Sequence, residues 1–114
     1  MVGGEDVRVL GIDPGTRLCG WGLVERAGSR LKHVDNGVVC MNENDSLSAR
    51  LAQLGDAVDG LVERYRPTVV AVEGVFQHRN VRSALTLAHA RGVALARAGH
   101  YGLHVAEYTP QQIK

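Results

Sequence analysis

Residues 7–17 read Val-Arg-Val-Leu-Gly-Ile-Asp-Pro-Gly-Thr-Arg, an apolar run that closes on an acid and a Pro-Gly pair. The β-branched, apolar character of the run predicts a buried central strand, Val7–Asp13, followed by a tight turn. A carboxylate at the end of such a run is costly unless it is paired or bound to a metal. Asp13 is therefore the first candidate functional residue.

The segments on the carboxyl side of this strand predict a mixed α/β order. Two strands at period two come first, then strands alternate with segments in which apolar residues recur at helical spacing. Parallel strands joined by right-handed crossovers should complete the sheet. The predicted strands are Cys19–Arg26, Leu31–Cys40, Thr68–Glu73 and Leu103–Tyr108. One predicted helix begins at Leu47 and has apolar positions up to Tyr65, and the other runs from Val81 to about Ala98.

End signals support these helices. Asp45 and Ser46 are candidate N-caps of the first helix, and Pro67 should stop it. Asn80 should cap the second helix and Gly99 should end it. The expected fold is a five-stranded mixed sheet, an antiparallel meander of three strands plus two parallel strands, flanked by helices.

The chain of 114 residues fits one small domain, 1–114, that is incomplete at its carboxyl end. Thr109 and Pro110 open a helix that runs for only about one turn before Lys114, which favours truncation because such a short helix has little stability alone.

Composition narrows the function classes without deciding between them. Hydrophobic residues make up 45% of the chain and aromatic residues 4%, so an aliphatic core is expected. The net charge of +1 argues neither for nor against nucleic acid, so a basic patch must come from placement. The sequence shows neither a signal peptide nor an apolar run long enough for a membrane span, which predicts a cytoplasmic protein with no membrane partner. Cys19 and Cys40 should be reduced thiols, with a disulfide left open because their strands form a hairpin.

Glu73 ends the fourth strand as Asp13 ends the first. If these strands are parallel neighbours, both carboxylates emerge at one edge of the sheet, where ligands bind in open α/β folds. Mg²⁺ fits such a pair, since it takes one or two protein carboxylates and completes its shell with water and phosphate oxygens. Gly15 is expected to allow a positive φ and a close approach to phosphate, with Thr16 and Arg17 as donors to phosphate oxygens.

Several motifs together resemble the RuvC family of the RNase H-like superfamily. The matching residues are 11–17, 20–22, 71–76, Asn80, 83–85, 90–94 and 108–114. The first motif is shared across the superfamily, whereas the Glu-x-x-Phe motif combined with the Ala-Arg-Gly helix is far more specific. The resemblance implies a crossover junction endodeoxyribonuclease that resolves four-way (Holliday) DNA junctions in recombination and repair, with two Mg²⁺ ions per complete active site.

Position by position, the resemblance makes Asp13 and Glu73 two of the family's four metal-binding acids. It makes Phe76 the aromatic residue that stacks on a base near the junction centre, and Lys114 the basic residue near the scissile phosphate. The other two acids of the family lie beyond Lys114. The chain by itself is therefore expected to bind Mg²⁺ weakly and to cut junctions poorly or not at all.

Basic residues follow Phe76 and continue along the second helix, where they are expected to track DNA phosphates. A solvated helix face is the alternative interpretation. The residues are His78, Arg79, Arg82, His89 and Arg91, with Asn80 among the predicted DNA contacts. The resemblance also implies a homodimer, with branch-migration machinery as a further partner. A small-residue stripe suits close packing in the dimer or on the chain's own sheet: Ala84, Ala88, Gly92 and Ala96.

Three other interpretations stay open. The Asp-x-Gly-Thr sequence also resembles the first phosphate loop of sugar-kinase and actin-type ATPases, although those need two such domains. An RNA-processing nuclease of the same superfamily is the second. The third is a non-catalytic fragment that only binds DNA or dimerises.

Overall fold

The computed structural model describes residues 7–74 and 81–108, which form one sheet with helices packed against it. The predicted end of the chain, the helix opening at Thr109, lies outside the described residues. The elements are β1 Val7–Asp13, β2 Leu18–Ala27, β3 Arg30–Cys40, α1 Leu47–Tyr65, β4 Val69–Glu73, α2 Val81–His100 and β5 His104–Tyr108.

The strand order is β3-β2-β1-β4-β5, which places β1 at the centre. β1 pairs antiparallel with β2 and parallel with β4, and β5 adds to β4 in parallel. The predicted meander plus two parallel strands is therefore confirmed. Because β1 and β4 are parallel neighbours, their carboxyl ends meet at the same edge of the sheet.

The core lies on one face of the sheet. Leu10 and Ile12 on β1 are fully buried, as are Val70 and Val72 on β4. They pack with the apolar sides of α1 and α2, which contact each other. On the alternate positions, strand residues such as Val9 keep partial exposure. The expectation of helices flanking the sheet thus holds for one face only among residues 7–74 and 81–108.

The helices begin and end at residues that agree only in part with the predicted cap and stop residues. Ser46 is the N-cap of α1, since its Oγ accepts a hydrogen bond from the amide of Ala49. α1 ends where Arg66 takes a left-handed conformation, one residue before Pro67. The predicted stop of α2 at Gly99 is wrong, because the helix continues to His100.

Gly102 terminates α2, because it takes a left-handed conformation with a φ of 70° two residues after the last helical residue, His100. Its amide donates to the carbonyl of Gly99 at 3.0 Å, and the amide of Leu103 donates to that of Ala98 at 3.2 Å. This paired pattern satisfies the last carbonyls of the helix.

Neither α1 nor α2, the two helices that the structure describes, combines the length and the apolar character that a membrane span requires.

A disulfide between Cys19 and Cys40 is ruled out by the register. Cys19 lies opposite Val39, so Cys40 points to the other face of the hairpin. Cys19 is buried and Cys40 exposed, and both are free. Burial raises the pKa of the Cys19 thiol to about 11, and the negative charge of Asp13 adds to this. Cys19 is thus an inert core thiol.

Two glycines surrounded by open space give a first test of this backbone. Gly60 lies inside α1, and Gly28 sits in the β2–β3 turn with a φ of 64°. Gly60→Ala is expected to raise the free energy of unfolding by about 0.5–1 kcal/mol, since Ala loses less entropy in a helix. Gly28→Ala is expected to lower it by about 1–2 kcal/mol, because Ala is strained at this φ. Urea unfolding measures both, and changes of the same sign would contradict the assigned turn.

Candidate functional site

Asp13 and Glu73 are brought to one edge of the sheet by the pairing of their strands. Ile12 on β1 lies opposite Val72 on β4, and one residue further along each strand is a carboxylate. Neighbouring parallel strands lie about 4.8 Å apart, so successive positions stay in reach of each other. The predicted convergence of these acids is confirmed.

The two carboxyl groups also interact. Glu73 is half-buried, and its pKa is raised above the ordinary value first by burial, then by the negative charge of Asp13 and by a hydrogen bond between the two side chains. Two acids in such contact cannot both ionise without cost. A divalent cation removes that cost, because it favours both charged forms at once.

The two carboxylates form a donor set that a hard divalent cation can share. Within residues 7–74 and 81–108, no group of three or more His, Cys, Asp or Glu side chains is placed to hold a metal ion. Two carboxylate ligands with open positions suit Mg²⁺, which keeps waters and binds phosphate oxygens. Asp13 is exposed, so its oxygens are accessible from solution.

The loop after Asp13 is held in place by hydrogen bonds that its own backbone carbonyls accept. The Arg50 guanidinium donates to the carbonyl of Thr16 at 3.2 Å, and the Met41 amide donates to that of Arg17 at 2.8 Å. Thr16 is buried, with 8% of its surface exposed. The positive φ expected for Gly15 is wrong, since only Gly28 and Gly102 adopt one among the described glycines. Gly15 is needed for space: a Cβ there would lie 2.4 Å from the carbonyl oxygen of Leu18.

A shallow pocket of about 370 Å³ opens beside Asp13. Gly15 and Gly20 leave room in it, and Leu18, Val38 and Leu87 form apolar walls. Gly20 pairs with Asp13 across β1 and β2, so the space next to the carboxylate exists because that position lacks a side chain. This pocket was not predicted, because its walls come from three elements that are distant in sequence, β2, β3 and α2.

A second pocket, of about 530 Å³, lies on the other side of the loop and is basic. It brings together three of the residues predicted to contact DNA, Thr16, Arg17 and Arg82. Arg50 and Thr86 line it as well and were missed. Arg50 could have been identified from the sequence, because a cation in the first turn of a helix is unfavourable against the helix dipole. Its presence there predicts a hydrogen-bond partner or a ligand that compensates.

Comparison with known proteins explains this combination of fold and acids. The family model described as "Crossover junction endodeoxyribonuclease RuvC" matches residues 9–114. The chain belongs to the RuvC family.

Curated RuvC relatives and a solved RuvC structure agree with that assignment. The chain is 50% identical to the crossover junction endodeoxyribonuclease RuvC of Pelobacter propionicus over 108 residues, covering 95% of the chain and 61% of the relative. It is 52% identical to that of Myxococcus xanthus, covering 95% and 56%. It also superposes on Thermus thermophilus RuvC in complex with a Holliday junction substrate, with a TM-score of 0.84, 30% identity, and coverage of 95% of the chain and 68% of that structure. The fold is thus the RNase H-like fold of RuvC, and the chain spans about 56–61% of the length of the first two relatives.

Several residues with a predicted role in DNA binding or catalysis lie outside the described part of the structure. They are Phe76, His78, Arg79, Asn80 and Lys114. Their roles remain predictions.

Arg91 was expected to face DNA, but it pairs with the carboxylate of Glu107 on β5. That ion pair connects α2 to β5. His89 is exposed. The small-residue stripe does not pack on the chain's own sheet: Ala88, Gly92 and Ala96 are exposed, and Ala90, Ala94 and Ala98 fill the core instead.

Proposed function

We propose that this chain carries part of the active site of a structure-specific endodeoxyribonuclease that resolves four-way DNA junctions. The observation that supports it most is the contact between Asp13 and Glu73 at the ends of neighbouring parallel strands. Membership of the RuvC family supports the same reaction.

Nucleases of this family are metal-dependent, and we infer that the ions are Mg²⁺, two in the complete active site. When bound, they would activate a water and stabilise the leaving oxygen of the phosphodiester. Asp13 would hold both ions and Glu73 one of them. Ion binding would also stabilise the ionised form of Glu73, which its surroundings otherwise disfavour.

The DNA contacts divide into two groups. Thr16, Arg17 and Arg82 line the basic pocket beside the loop. We infer that Arg79 and Asn80 extend this contact, that Lys114 lies near the scissile phosphate, and that Phe76 stacks on a base. Stacking of this kind is worth about 1–3 kcal/mol per base.

The proposed partners follow from the symmetry of the substrate. A four-way junction has two-fold related strands, so a homodimer with two active sites suits paired cuts. The exposed stripe of Ala88, Gly92 and Ala96 offers a surface for close approach of a second copy. Branch-migration machinery and a cytoplasmic location are inferred from the family resemblance.

The competing functions fit less well. An ATPase half and an RNA-processing nuclease are both disfavoured by the match to RuvC over residues 9–114. A fragment that binds DNA without cutting it fits the 114-residue chain in isolation. That behaviour is compatible with a junction nuclease of the relatives' full length.

The test compares a synthetic four-way junction with a linear duplex of the same arm sequence. A chain of the relatives' full length should cut only the junction, in paired strands, and EDTA should stop it. The 114-residue chain should bind the junction at least about tenfold more tightly than the duplex and cut it poorly or not at all. Equal affinity for both DNAs would contradict junction specificity, and efficient cutting by the 114-residue chain would contradict a need for further acids.

A further inference from the structure

The basic pocket is built by three separate parts of the chain. The loop after β1 contributes Thr16 and Arg17, the first turn of α1 contributes Arg50, and the first turns of α2 contribute Arg82 and Thr86. Within residues 7–74 and 81–108, the side chains that line it include no carboxylate. Residues this far apart in sequence make a defined cavity only because the fold packs the loop against both helices.

The cations of this pocket are not neutralised within the described chain. The arginines that have structural roles are paired: Arg8 with Glu25, Arg91 with Glu107 and Arg97 with Asp59. Among residues 7–74 and 81–108, Arg17 and Arg82 have no ion-pair partner, and both are exposed. Like charges around one cavity repel each other, and an anion in the cavity would relieve that repulsion.

Arg50 has a different position from the other two. It is half-buried, and two of its N–H groups donate to the backbone carbonyls of Asp45 and Thr16, both at 3.2 Å. A guanidinium has five donors, so the remaining donors are left for the pocket that the side chain lines. Arg50 thus contacts the loop that follows Asp13 and also lines the cavity.

The pocket adjoins the site of the two acids. Leu87 lines both the basic pocket and the pocket that contains Asp13, and the loop from Pro14 to Arg17 separates them. Pro14 and Gly15 line the pocket beside Asp13, and the next two residues, Thr16 and Arg17, line the basic pocket, so the two sites are adjacent along one stretch of backbone. Planar guanidinium groups match phosphate oxygens in pairs, which fixes orientation as well as adding affinity.

We propose that this basic pocket is a subsite for a second backbone phosphate of the DNA strand, separate from the phosphate to be cut. The proposal rests on the proposed nuclease function and adds to it a DNA contact beyond the scissile phosphate. The occupant is a phosphodiester group, and no base-specific contact is involved.

Arg82→Gln and Arg17→Gln on the 114-residue chain test the subsite, with Arg30→Gln as the matched control. Arg30 is exposed at the far end of the β2–β3 hairpin, where it pairs with Ala27. Junction affinity is measured by fluorescence anisotropy in EDTA over a salt series. Each pocket variant should bind the junction about three- to tenfold more weakly. It should also reduce by about one the slope of the logarithm of the binding constant against the logarithm of the salt concentration, whereas Arg30→Gln should change neither quantity.

Inorganic phosphate provides the second probe. Its titration should shift the amide NMR signals of Thr16 and Thr86 in the wild-type chain and not in Arg82→Gln. Loss of these shifts together with reduced salt slopes supports the subsite.

Pocket variants that bind like Arg30→Gln, in a chain that still prefers junction to duplex, would overturn the subsite and leave the nuclease proposal standing. Loss of junction preference in the wild-type chain, with the phosphate shifts intact, would count against the nuclease proposal instead.

Discussion

Glu73→Gln is expected to stabilise the metal-free chain at neutral pH and to remove its response to Mg²⁺. In a chain of the relatives' full length, the same change should slow junction cleavage by about 10²–10³-fold, the effect of losing several kcal/mol of transition-state stabilisation. A gain in stability accompanied by a loss of activity is the signature of a site kept under electrostatic strain for function.

The direction of the stability change follows from proton binding. Burial and the neighbouring Asp13 raise the pKa of Glu73 above its ordinary value of 4.5, so the folded chain holds this proton more tightly than the unfolded chain. The resulting stabilisation is full below pH 4.5 and is lost as the pH rises through the folded-state pKa. Gln has no proton to lose, so the advantage of the variant should appear above that pH and vanish at lower pH.

Thermal unfolding in EDTA at pH 4 and pH 7, and then in Mg²⁺ at pH 7, measures both parts of this prediction. A ligand at 100 times its dissociation constant stabilises a protein by about 2.7 kcal/mol, and the wild type should gain on this scale in sufficient Mg²⁺ while the variant gains little. Glu43→Gln is the matched control, since Glu43 is exposed in the turn before α1. A Glu73→Gln chain no more stable than Glu43→Gln at pH 7 would contradict the coupling of the two acids.

The fold could be predicted where local patterns and tertiary packing agree. The bounds of β1 and the start of α1 were predicted to the residue, because an apolar run before Pro-Gly and a helical stripe after a Ser cap are unambiguous. The end of α2 was not, because Gly99 is compatible with helical backbone and the helix stops where Gly102 can take a left-handed conformation. A glycine's identity alone does not show which of two nearby glycines ends a helix.

The candidate site shows the same division between local and long-range information. Asp13 and Glu73 were found because each ends a strand, and strand ends converge at a sheet edge. Arg50 was missed because its partner carbonyl is 34 residues earlier in the chain. The ion pair of Arg91 was not predicted because Glu107, its partner, belongs to a strand that follows its helix. Pairing partners distant in sequence decide whether a cation is structural or free for a ligand.

Gly15→Ala is expected to destabilise the chain by about 1–3 kcal/mol, the usual cost of forcing an extra methyl group into a packed position. A Cβ at this position would lie 2.4 Å from the carbonyl oxygen of Leu18, which is a backbone atom and has no rotamer to change. Either the loop or the start of β2 must move. Since the loop begins directly after Asp13, the movement should reach the carboxylate.

Urea unfolding of Gly15→Ala gives the stability change, and its Mg²⁺-dependent stabilisation reports the placement of the acid. Misplacement of a reacting group by about 1 Å can cost 10²-fold in rate, so cleavage by a chain of the relatives' full length should fall further than stability alone explains. Gly22→Ala is the control, because Gly22 lies on β2 and a Cβ on it would meet no atom within 4 Å. If both variants unfold alike and respond equally to Mg²⁺, close packing at Gly15 does not hold Asp13 in place, and the rigidity of the site must come from the contacts of Arg50 and Met41 with the loop carbonyls.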